Sequence, residues 1–240
     1  MIFVCFAFLC FVFRDGPQGK KEARMRIAII GTGSVGSALA HGWASTHHEI
    51  ILGSRHLQTQ ELRDLKDQTG AKALPAAEAA EHAHVVVLAL PWTAAKEALA
   101  TLGDLSGKII IDCMNPLEFA DGALRLDRGW STSGAETVAA WLPGARIVKT
   151  LNQVGADVMR YAGSMPARPA MFLASDDTEA KETVAGLLEG LGFDPLDAGS
   201  LDKARLLEPF AMVWINQAMA RGKGRRWALS VVDLSDLGEG

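Results

Sequence analysis

From Met25 onward, short apolar runs rich in β-branched residues alternate with longer stretches in which apolar residues return every three or four positions. The runs Ile27 to Ile30, Glu49 to Leu52, Val85 to Leu90, Ile109 to Asp112 and Arg146 to Leu151 predict strands, and Ala71 to Leu74 a short edge strand. An unbroken apolar run such as Val85 to Leu90 has no polar face to turn toward water, so it belongs in a parallel sheet covered on both sides. Helical spacing fills the gaps. One helix runs from the residues after Gly36 through Trp43, a second over Thr59 to Gln68 up to Gly70, a third over Pro75 to His82 with the proline suited to its first turn, and a fourth from Thr93 to Leu102, stopped by Gly103. Strand and helix in alternation predict an α/β fold with a doubly wound, mostly parallel sheet.

The second half is less regular. Leu117 to Thr132 has no period and reads as a long irregular loop, the kind that is usually functional. Ser133 with Glu136 fits a capping box for a helix to Trp141. Ala170 to Ala174 predicts a strand, Asp177 to Leu191 an amphipathic helix, Phe193 to Leu196 a short strand, and Leu201 to Ala220 a long apolar helix before a basic tail at Arg221, Lys223, Arg225 and Arg226. These patterns divide the chain into a nucleotide-binding domain over residues 25–152 and a smaller C-terminal α/β lobe over residues 153–240. That lobe is expected to serve the substrate and to mediate a homodimer.

Residues 1–24 stand outside the pattern. Met1 to Phe13 is almost wholly apolar but shorter than the roughly 20 residues a membrane span needs. It lacks the basic start and small-residue cleavage site of a secretory signal. We read it as an N-terminal extension upstream of a functional start at Met25, the alternative being a weakly membrane-associated tail; no stable membrane span is expected.

The chemistry is concentrated at the first strand's end, where Ile30 leads into Gly31-Thr32-Gly33-Ser34-Val35-Gly36. In the spacing G-x-G-x-x-G, Gly31 permits the sharp turn, Gly33 lets the backbone approach a pyrophosphate, and Gly36 lets helix and strand pack closely. The helix N-terminus then offers N–H groups to the anion. A dinucleotide is the predicted ligand, held by a Rossmann-type fold. An NAD site would place an acid at the end of the second strand, but this strand ends in Gly53-Ser54-Arg55. A hydroxyl and a guanidinium fork suit a 2′-phosphate, so the predicted cofactor is NADP. The strand ends carrying Leu90-Pro91-Trp92, Asn115-Pro116 and Thr150 to Asn152 are expected to open on one sheet edge. Leu90, Pro91, Asn115 and Pro116 would lie along the nicotinamide, with Trp92, Asn115 and Asn152 as positioning groups. The acceptor would be walled by Leu117 to Thr132 and the helix after Gly199.

Composition narrows the classes. With 240 residues, 49% of them hydrophobic, and a formal charge of -4, the chain is globular with no general attraction to nucleic acid. Cys5, Cys10 and Cys113 form no metal or CxxC pattern, consistent with the cytoplasm. No metal site is expected.

Several separated motifs together resemble the NADPH-dependent reductases of the deazaflavin coenzyme F420. They are Met25-Arg26-Ile27-Ala28-Ile29-Ile30-Gly31-Thr32-Gly33, Gly53-Ser54-Arg55, Pro91-Trp92, and Leu196-Asp197-Ala198-Gly199 followed by Arg205, Leu206 and Glu208. The resemblance covers Met25 to about Leu229. It implies NADP binding by Thr32, Gly33, Ser34, Val35, Ser54 and Arg55, and a flavin or deazaflavin acceptor such as F420 in a cleft against the C-terminal part. Members often carry a cation soon after the Ser-Arg pair; here His56 is the only residue in that role.

Hydride transfer between two stacked rings relies on positioning and does not require a dedicated proton donor. All six histidines, from His41 to His84, precede the presumed substrate half, which argues against an alcohol-type dehydrogenase. Two alternatives stand beside this reading. One is a β-hydroxyacid-type dehydrogenase, prompted by the Lys149 and Asn152 spacing; the other is a non-catalytic NADP-binding redox sensor.

Overall fold

The computed structural model describes residues 24–233; the expectations for Met1 to Phe13 lie outside the described residues. Eight strands form one sheet. They are β1 (Arg26–Ile30), β2 (Glu49–Ser54), β3 (Lys72–Pro75), β4 (Val85–Leu88), β5 (Ile109–Asp112), β8 (Arg146–Lys149), β9 (Ala170–Ala174) and β10 (Asp194–Gly199), while β6 (Leu117–Ala120) and β7 (Ala123–Leu126) pair separately. The order across the sheet is β10-β9-β8-β5-β4-β1-β2-β3. Every pairing from β3 to β8 is parallel, β8 to β9 is antiparallel, and β9 to β10 is parallel again. The chain direction therefore changes where the second domain is expected to begin, although β9 and β10 extend the same sheet.

Burial on both faces follows from the apolar runs. Along β1, Ile27 and Ile29 face a core shared with Leu39 and Trp43 of α1 (Ser34–Ala44) and Leu187 and Leu188 of α7 (Thr178–Leu191). Ala28 and Ile30 face the opposite core. That core includes Ala79 of α3 (Ala76–His82), Ala95 and Leu99 of α4 (Trp92–Leu99), and Ala135 and Val138 of α5 (Gly134–Trp141). Local signals set the helix ends. Thr59 caps α2 (Gln60–Thr69) by accepting from the Leu62 N–H, Gly70 closes it in the left-handed region, and Ser133 and Asp177 cap α5 and α7.

Four elements differ from the sequence expectation. The segment read as an irregular loop contains the antiparallel hairpin β6–β7, turned by Asp121 and Gly122, both at positive φ (53° and 76°). Asp-Gly between alternating residues is the signature of a two-residue hairpin turn, and that signal was present in the sequence. Strand β4 ends at Leu88, with Pro91 already preceding α4. The long last helix is α8 (Ala204–Ile215) continued by a wide π turn over Asn216–Ala220, and a short helix, α6 (Ala156–Tyr161), lies between β8 and β9. No helix among the described residues is long and apolar enough to cross a membrane.

Candidate cofactor and acceptor clefts

Strand β1 is flanked by β2 on one side and β4 on the other, so the chain leaves it in one direction and later returns on the opposite side. A crevice opens at the carboxyl ends of strands at such a switch point. Here Gly31 stands at φ 101°, and a Cβ on it would overlap the carbonyl oxygen of Ala89. A Cβ on Gly36 would overlap the carbonyl oxygen of Gly31, so the helix can approach the strand only as glycine. Gly33 is different: it is exposed and a Cβ there would meet nothing within 4 Å. The space before it is open, and the first turn of α1 has neither a side-chain cap nor an acidic residue. Uncapped N–H groups at the positive end of a helix dipole make a donor set that fits a pyrophosphate.

A cleft of about 350 Å³ runs from this turn, bringing together Gly31, Thr32, Gly33, Ser54, Arg55, Leu90 and Pro91, which lie far apart in sequence. At its β2 end the Ser54 hydroxyl accepts from the His56 N–H at 3.2 Å, holding a tight turn. Arg55 and His56 are exposed, and Arg55 makes no hydrogen bond or ion pair among the described residues. An unpaired guanidinium beside a hydroxyl is the donor pattern a 2′-phosphate calls for.

Ser34 and Val35 face a second, larger cavity of about 1080 Å³. Its walls are Leu117, Phe119 and Leu124 of the hairpin, Val154 and Gly155 after β8, and Met212, Trp214, Ile215 and Met219 of α8 and its wide turn. Asp157 and Arg225 are the charged residues in this lining. Gly155 is required by the wall itself, since a Cβ would stand 2.7 Å from the Trp214 ring. Sequence reasoning placed the acceptor against this loop and this helix but did not single out Phe119, Leu124, Met212, Trp214 or Ile215; as lone apolar residues they carry no sign of a ligand.

The remaining expected site residues lie behind the clefts. Trp92 stacks on Trp141 at 5.4 Å between ring centroids, donates its indole N–H to Asp127 at 3.0 Å and receives Arg128 over its face. Arg128, then the Trp92 N–H, hold the Asp127 carboxyl below the usual range. Asn115 and Asn152 form a reciprocal pair. Asn115 Nδ2 donates to the Asn152 carbonyl at 2.8 Å, and Asn152 Nδ2 to Asn115 Oδ1 at 2.9 Å and to the Leu207 carbonyl at 3.1 Å. The turn that aims Asn152 is made by Leu151, fully buried at φ 58°, a conformation sequence alone does not announce for leucine. Pro116 is buried beside Gly134. Lys149 is fully buried at the end of β8, between Asp112 and Glu208, and reaches neither cleft. Cys113 is buried as well, and burial pushes its thiol pKa up, away from the exposed, thiolate-favouring setting of a reactive cysteine.

Comparison with known proteins identifies the chain's relatives. Residues 26–116 match the family described as NADP oxidoreductase, coenzyme F420-dependent. The chain is 32% identical over 209 residues to the F420-dependent NADP reductase of Methanothermobacter marburgensis, covering 80% of this chain and 92% of that protein. It is similar to the crystal structure of a protein assigned as an F420-dependent NADP reductase from Arthrobacter sp. FB24, with a TM-score of 0.80, 31% identity, and coverage of 87% of this chain and all of that one. Rat metalloreductase STEAP3 is 31% identical over 190 residues, 78% of this chain but 36% of that longer protein.

Proposed function

We propose, from the premise that this chain belongs to the coenzyme F420-dependent NADP oxidoreductase family, that it transfers a hydride between NADPH and a flavin-like acceptor such as coenzyme F420. The observation that carries this reading is the apolar cavity beginning at Ser34 and Val35, so that a ring seated there lies next to the dinucleotide turn. When bound, the nicotinamide supplies the hydride. The protein's own part is positional. Gly31 to Gly36 and the start of α1 receive the pyrophosphate, and Ser54, Arg55 and His56 receive the 2′-phosphate. Leu90 and Pro91 border the nicotinamide end, and Asn115 and Pro116, which line neither cleft, support that edge from behind. No histidine lines the large cavity among the described residues, which suits a reaction driven by ring placement and water exclusion.

The same reading assigns residues 25–152 to the cofactor and the later residues to the acceptor and to a homodimer contact, in a cytoplasmic enzyme. A β-hydroxyacid-type dehydrogenase is disfavoured because its lysine would have to meet substrate, whereas Lys149 is sealed in the core. The deciding experiment is NADPH oxidation by purified protein against F420, FMN, FAD, quinones and ferric chelates. Turnover with a flavin or deazaflavin supports the proposal. NADPH binding with no turnover on any acceptor would identify a sensor instead.

A further inference from the structure

Among the described residues, the charged side chains that are buried are Asp112, Lys149 and Glu208, and they form one cluster outside both clefts. Asp112 and Lys149 are register partners at the ends of β5 and β8. Lys149 Nζ lies 3.1 Å from Asp112 Oδ2 and 3.0 Å from Glu208 Oε1, and also donates to the Met114 carbonyl. One cation between two carboxylates leaves a negative charge to be answered. The start of α5 answers it: the N–H groups of Gly134 and Ala135 donate to Glu208 at 2.9 and 3.2 Å. Burial pulls the lysine's pKa down, but Asp112 and Glu208 outweigh it and hold the ammonium above its ordinary value.

A buried ion cluster rarely outperforms an apolar core of equal volume in stability. What it supplies is direction, because hydrogen-bonded charges accept few geometries and apolar contacts accept many. Glu208, Met212, Ile215 and Met219 follow at intervals of four, three and four residues along α8 and its wide turn, the spacing of one helical stripe. The first of them is held in the cluster; the other three line the large cavity. Asn152, bonded to the Leu207 carbonyl, adds a second pin one residue away.

We propose that Glu208 is a positioning residue for the acceptor: fixed by Lys149 and the start of α5, it sets the rotation of α8 and so presents Met212 and Ile215 as the acceptor's wall. This rests on the reading that the large cavity takes the acceptor. The test is Glu208→Gln, which keeps the size and an acceptor atom for α5 while leaving Lys149 and Asp112 as a neutral pair. Amide exchange over residues 212–220 should accelerate about tenfold with β1 and α1 unchanged, and the KM for acceptor should rise about tenfold with the NADPH Kd within about twofold. Unchanged exchange in α8, or faster exchange with an unmoved acceptor KM, overturns the proposal. So does a proportional loss of NADPH and acceptor binding. If Glu208→Gln does not fold, the triple variant Asp112→Asn, Lys149→Met, Glu208→Gln leaves no buried charge and is measured the same way; failure of both makes the cluster a folding requirement and refutes a positioning role. A wild-type protein that turns over no acceptor refutes the functional reading instead. The α8 exchange rates, and quenching of tryptophan fluorescence by riboflavin compared between wild type and variant, then still decide whether Glu208 sets the placement of α8.

Discussion

Arg55→Ala isolates the choice between NADP and NAD, because the structure gives this side chain nothing else to do. It is exposed and makes no hydrogen bond or ion pair among the described residues, so its removal should leave the melting temperature unchanged. Its partner on the cofactor would be a phosphate dianion, and a hydrogen bond to a charged group contributes about 1.5–3 kcal/mol. Exposure and salt screening favour the lower end of that range. At about 1.4 kcal/mol per tenfold, the NADPH Kd should rise at least about tenfold and NADH affinity should hardly move. Titrating tryptophan fluorescence with each nucleotide at two ionic strengths measures this directly, and the NADPH loss should shrink as salt rises. Ser54→Ala makes a poorer probe, since the Ser54 hydroxyl also receives the His56 N–H and shapes the turn. Equal losses for NADPH and NADH, or a fall in melting temperature, would refute the assignment.

Asn115→Ala removes half of the reciprocal amide pair with Asn152; we expect a roughly tenfold fall in single-turnover rate, about 1.4 kcal/mol of positioning, with a much smaller change in NADPH Kd. Full activity in that variant would show that the pair does not order the nicotinamide edge. Gly33→Ala and Gly36→Ala should separate binding from folding. The first adds a methyl to open space and should weaken NADPH without lowering stability, whereas the second overlaps the Gly31 carbonyl and should destabilise by about 1–3 kcal/mol or more, read by denaturant melts. Asp177 is held down to about 2 by Arg146, which donates through Nε at 2.6 Å, and by the Ala180 N–H. A depressed folded-state pKa means that its stabilisation is present above the ordinary carboxyl value and is lost as pH falls toward 2. Asp177→Asn should therefore flatten the stability curve in that acid window, and an unaltered curve there would count against the ion pair.

Local order decided what the sequence by itself could determine. Helical and strand periodicity depend on neighbours a few residues away, so the β1-turn-α1 unit, the cap at Ser133 and the missing acid after β2 could all be read directly from the residues, whereas Thr59 and Asp177 read as helical residues and are caps in the structure. The Asp121-Gly122 hairpin belonged to the same class, since its turn residues carry the necessary backbone preference. Tertiary structure alone decided which residues became partners. Asp112, Lys149 and Glu208 each read as an ordinary charge, and only the parallel register of β5 with β8 and the return of α8 enclose them together. Leu151 takes a left-handed conformation because its surroundings impose it, not because leucine prefers it. The walls of the large cavity come from α1, the hairpin, the segment after β8 and α8; burial and shape at such a site depend on segments distant in the chain, which no local pattern encodes.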